Sequence, residues 1–127
     1  MRRYSLTFLE EDYASLREVL AANAGVENGA YLLCRQAHTL TETRLLVREV
    51  IPIEAEHILE ASPVHMKIAS PSYRRAMKRA DEQKCGFVFV HTHPNSAEGH
   101  SSQDDREEAP LFRTAYARVH NEVVHAS

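Results

Sequence analysis

The chain has 127 residues, 15 Lys and Arg against 18 Asp and Glu, and a net charge of -3. That length fits a single domain, residues 1–127, with a core of its own. The charge gives no reason to expect nucleic acid, and no apolar run is long enough to span a bilayer. Acids follow the N-terminal MRRYSLTFLEEDY before any signal-peptide stretch develops, so a cytoplasmic protein is expected. The two cysteines, Cys34 and Cys85, match no metal or secreted-scaffold spacing and read as reduced, buried thiols.

Tyr4, Leu6 and Phe8 alternate with polar residues and predict a half-buried strand. Acids at Glu10, Glu11 and Asp12 open an amphipathic helix over 11–22, with Tyr13, Leu16, Val19 and Leu20 as its stripe. Tyr31 to Cys34 reads as a short buried strand, and Thr43 to Ile51 as its hairpin partner. Residues 53–62 read as irregular, and Val64, Met66 and Ile68 as a short strand. Ser70 as N-cap and Pro71 start a helix whose apolar stripe is Tyr73, Ala76, Met77 and Ala80. Its basic residues Arg74, Arg75, Lys78 and Arg79 read as a solvated face. Phe87 to Val90 is apolar throughout, as a fully buried strand should be. A last helix starts near Ser101 and is interrupted at Pro110, and Val123 and Val124 open a final strand. A chain that ends inside a strand is expected to be part of a longer protein. The sum is an α/β domain with a mixed sheet and flanking helices.

Chemistry concentrates where the buried strand ends. Side chains alternate along a strand, so His91 and His93 point to one side. Pro94 turns the chain away, and one loop can return Asp104 to the two imidazoles. Two histidines, a carboxylate and an open water position describe a catalytic zinc site better than a structural one. The attacking water needs a base that is not a ligand, and Glu27, at the entry to a strand with Gly29 beside it, is the best candidate. Ser101 can donate to the oxyanion of a tetrahedral intermediate. Each piece also has a plainer reading: Ser101-x-x-Asp104 is a capping-box variant, Glu27 a surface turn residue, and the other six histidines surface residues.

Taken jointly, His91-x-His93-Pro94 followed by Ser101-x-x-Asp104 resembles the signature of the JAMM metalloproteases, in their bacterial branch. The stretch Val26-Glu27-Asn28-Gly29-Ala30-Tyr31-Leu32 resembles that family's upstream glutamate. The resemblance extends over about residues 4–125. It implies an MPN or cytidine-deaminase-like sandwich, with His91, His93 and Asp104 as zinc ligands, Glu27 as acid/base and Ser101 as oxyanion donor. It also implies hydrolysis of an amide or isopeptide bond at the C-terminal tail of a ubiquitin-like or sulfur-carrier-like partner, with an E1-like adenylating enzyme as neighbour. The alternatives are a non-catalytic MPN-like scaffold and another single-zinc hydrolase, such as a phosphoesterase.

Overall fold

A computed structural model of the chain describes residues 1–63, 65–94, 102–119 and 125–127, and of residues 102–105 the backbone alone. The elements follow in the order β1 (Arg3–Thr7), α1 (Glu10–Leu20), β2 (Gly29–His38), β3 (Glu42–Pro52), β4 (Ile58–Ala61), β5 (Met66–Ile68), α2 (Ser70–Gln83), β6 (Gly86–His91) and α3 (Ser102–Arg118). One sheet has the strand order β1-β3-β2-β6, and β4 and β5 form a separate ribbon. Strand β1 runs parallel to β3, while β2 is antiparallel to both β3 and β6. The sheet is therefore mixed, as the hairpin pattern implied.

The central strands are apolar on both faces because both faces are covered. On one face Leu16 of α1 packs with Ala30, Leu32, Cys34, Leu45, Val47 and Val88. On the other, Tyr31, Leu33, Phe87 and Phe89 pack against Ala76, Met77 and Ala80 of α2 and Ala115 of α3. The Tyr31 hydroxyl lies 2.9 Å from that of Ser72, a buried pair that ties α2 to the sheet. Both cysteines are free and buried, and burial pushes the Cys34 thiol up to about 12.

Several expectations shift. Strand β2 runs on to His38, well past Cys34, because Arg35 to His38 pair with β3 although their side chains are polar. Residues 53–62 are not irregular: a single 3-10 turn over Ala55–His57 leads into β4, which pairs with Met66–Ile68. Val64 lies outside the described residues. Tyr4 and Leu6 of β1 remain 57% and 42% exposed, since an edge strand lies at the margin of the layer that α1 covers. Ser70 is the first residue of α2 and not its cap; Ala69 holds the cap position in extended geometry. Pro110 sits inside α3, which continues to Arg118 without a break. The basic face of α2 is exposed, and two of its members reach the rest of the fold, Arg75 to Glu54 at 2.7 Å and Arg79 to Glu49 at 2.6 Å.

The expected strand at Val123 and Val124 lies outside the described residues. The residues just after it do join the sheet: Ala126 bridges Val88 in parallel, and Phe89 N–H donates to the Ala126 carbonyl at 2.9 Å. His125, expected at the surface, is buried there. It accepts the Phe87 N–H on Nδ1 at 2.9 Å and packs edge-on against Tyr116.

Candidate metal centre

Register builds the site. In the β2–β6 ladder Gly29 lies opposite His91, Tyr31 opposite Phe89 and Leu33 opposite Phe87. Opposed residues share a face, so His91 extends the buried aromatic row at the C-terminal end of β6. Its ring stacks on Phe89, with 5.2 Å between centroids and 17° between planes. His93 follows two residues on, with its ring centroid 4.9 Å from that of His91. The same-side placement expected of the two histidines holds.

Glu27 is two residues before Gly29 and in phase with it. It is held from both sides. Its own N–H donates to the Ser62 carbonyl at 2.8 Å, beside the β4–β5 ribbon. Asn28 and Thr92 are clamped together, Asn28 N–H to the Thr92 hydroxyl and Thr92 N–H to the Asn28 carbonyl, both at 2.9 Å. The Asn28 side-chain amide closes the loop on the Asn23 and Val26 carbonyls. Gly29 allows β5 and β6 to close up beside the site: a Cβ there would stand 2.8 Å from the Met66 Cε and 3.1 Å from the Val90 carbonyl. Glu27 is 6% exposed, and its Oε1 is 3.1 Å from His91 Nδ1.

One residue escaped the sequence reading. Glu108 of α3 is buried, and its Oε1 lies 3.4 Å from His91 Nε2. Its Oε2 accepts the Ser127 hydroxyl at 3.1 Å. A signal existed: Glu108, Leu111, Ala115 and Val119 follow one another at helical spacing, and the first of this apolar stripe is an acid. His91 thus has a carboxylate at each ring nitrogen. The Glu108 carboxylate, more than that of Glu27, raises the His91 pKa above its usual 6.5, against the lowering effect of burial.

Glu27, His91 and His93 each offer one ligand atom, all within 4.8 Å of one another. This is a donor set that fits a divalent ion such as zinc, two imidazoles and a carboxylate. Whichever His91 nitrogen takes the ion, the other keeps a carboxylate partner, the arrangement that fixes the ring of a metal-bound histidine. Asp104 has its backbone one turn before Glu108 on α3; its side chain lies outside the description, as does all of Ser101.

Fold and site together define an α/β domain carrying a three-residue candidate metal centre at the carboxyl end of β6. The profile of the family described as prokaryotic homologs of the JAB domain matches residues 10–126, and the chain belongs to that family. Among solved structures it is similar to protein DSY2949 from Desulfitobacterium hafniense, with a TM-score of 0.51 and 21% identity over 81% of this chain. The chain spans 65% of the length of that structure. A search of curated proteins gives no match.

Proposed function

We propose that the chain is a zinc-dependent amidase or isopeptidase acting on the C-terminal tail of a ubiquitin-like or sulfur-carrier-like protein. The observation that carries this reading is the convergence of Glu27, His91 and His93 at the end of β6 in a chain of the JAB-domain family. In this reading His91, His93 and Asp104 hold the zinc, and Ser101 donates to the oxyanion. A bound zinc supplies a Lewis acid that polarises the carbonyl and acidifies water.

Glu27 takes the proton of the attacking water and returns it to the leaving nitrogen, so that water adds across the amide to give an acid and an amine. Glu108 holds the His91 ring through the nitrogen not used for the ion. The β4–β5 ribbon beside Glu27 offers strand edges along which an extended tail can lie. An E1-like enzyme as neighbour and a cytoplasmic location belong to the same proposal. Among the described residues no helix is long and apolar enough to cross a membrane.

The test is a panel of tail peptides joined through an amide to a reporter, with and without a folded ubiquitin-like domain, offered to the zinc-loaded chain. Cleavage that improves with the folded domain supports the full reading. Cleavage with no such preference keeps the chemistry and removes the partner. Hydrolysis of simple phosphoesters alone replaces the reading with a phosphoesterase, and tight tail binding without turnover replaces it with a scaffold.

A further inference from the structure

A cavity of about 440 Å³ opens beside the candidate metal centre, with Glu27 and His91 among its lining residues. We propose that this cavity is a subsite for one large apolar side chain of the substrate, next to the scissile amide. The inference rests on the hydrolase reading and adds the residue that the enzyme selects.

Position comes first. The cavity shares two side chains with the centre, so a chain whose amide meets Glu27 can reach it with an adjacent residue. Its apolar walls come from four elements: Met66 and Ile68 of β5, Tyr73 of α2, Phe89 of β6 and Leu111 of α3. Phe89 belongs to the buried core, and the other four pack against it, so the walls are set by folding and not by the ligand. His65 lies 3.5 Å from Glu60 and 3.7 Å from Glu107, which links the β4–β5 ribbon to α3 across the rim. A glycine beside the scissile bond would leave these walls facing water. A leucine, methionine or phenylalanine displaces that water and makes dispersion contacts with these five side chains.

Charge narrows the occupant further. The lining includes four carboxylates, Glu27, Glu60, Glu107 and Glu108, with Lys67 and the imidazoles His65 and His91 as its basic groups. At the end away from the ion, Glu60 and Glu107 disfavour an acidic side chain against a neutral apolar one.

Two measurements test the subsite. The first needs neither zinc nor turnover: N-acetyl-leucinamide and N-acetyl-glycinamide are titrated into the chain, and the methyl signals of Met66 and Ile68 are followed by NMR. The leucine amide is expected to shift both and the glycine amide neither, with the leucine response weakened about tenfold or more in Leu111→Phe. Equal responses to the two amides, or none at these methyls, overturn the subsite. The second uses the zinc-loaded chain and reporter peptides carrying Gly, Leu, Phe or Glu before, and separately after, the scissile amide. On one side Leu and Phe are expected to exceed Gly in kcat/KM by roughly 10–100-fold, with Glu lowest. Leu111→Phe should lower the value for the leucine peptide more than for the glycine peptide. Cleavage indifferent to the residue on both sides overturns the subsite and leaves the hydrolase standing. Leucinamide binding with no peptide cleaved removes the hydrolase reading and leaves an apolar binding site.

Discussion

Glu27 and His91 meet through a short contact between a buried carboxylate and an imidazole, and each can be tested by one atom exchanged. Glu27→Gln keeps the shape and removes the basic oxygen. Turnover should fall by roughly 10²–10⁴-fold, with zinc content and melting temperature unchanged. Metal analysis beside the assay checks this, and zinc loss in the variant would make Glu27 a ligand instead. Glu108→Gln removes the main cause of the raised His91 pKa. Zinc binding requires a neutral ring, so in the wild type affinity falls with pH already above 6.5, where a raised pKa lets the proton compete. The variant should lose less affinity between pH 8 and pH 6, while binding about 10–100-fold more weakly at pH 8 where only ring positioning counts. Chelator-competition titrations at the two pH values measure both effects. His91 and His93 were legible as a same-side pair because strand alternation marks them, whereas Glu27 was marked by the family resemblance. Glu108 carried only the faint mark of heading the stripe Leu111, Ala115 and Val119, because an acid at a helical position reads as solvated until the opposite ring is known.

The elements carry their own predictions. At the junction of β2 and β5, Gly29→Ala places a Cβ 2.8 Å from the Met66 methyl and 3.1 Å from the Val90 carbonyl. The methyl can swing aside and the carbonyl cannot, so stability should fall by about 1–2 kcal/mol in a denaturant titration. The seating of residues 125–127 on β6 depends on a neutral ring. Burial lowers the His125 pKa below its usual 6.5, and its Nδ1 must accept the Phe87 N–H. The unfolded chain then binds that proton first, so this contribution is present above pH 6.5 and is lost as pH falls towards the folded value. His125→Asn keeps an acceptor without a basic ring and should flatten the acid limb of thermal melts between pH 7.5 and 5. Comparing variant with wild type isolates His125 from His91, whose shift in the metal-free chain has the opposite sign. Helix and strand identities followed from hydrophobic period; the long β2, the β4–β5 ribbon and the unbroken α3 did not. Polar residues can pair in a ladder, and a proline inside a packed helix removes one bond where neighbouring contacts still hold the axis.

Across the whole molecule, a bound ion should report on the folded site. Zinc at 100 times its dissociation constant should add about 2.7 kcal/mol to stability, read as a rise in melting temperature reversed by chelator. Asp104→Asn should reduce that rise, and an equal rise in the variant would take Asp104 out of the ligand set. The amino-acid order alone determined the α/β class, the two buried strands and the paired histidines, because periodicity and spacing are local properties of a chain. It did not determine that Gly29 faces His91, that Glu108 closes the other side of the ring, or that β5, α2, β6 and α3 wall a cavity beside them. Those depend on the antiparallel register of β2 with β6 and on the packing of α3 over their shared face. Register joins Glu27 to His91 and Asn28 to Thr92, each pair 64 positions apart, and only the closed fold brings them within 4 Å.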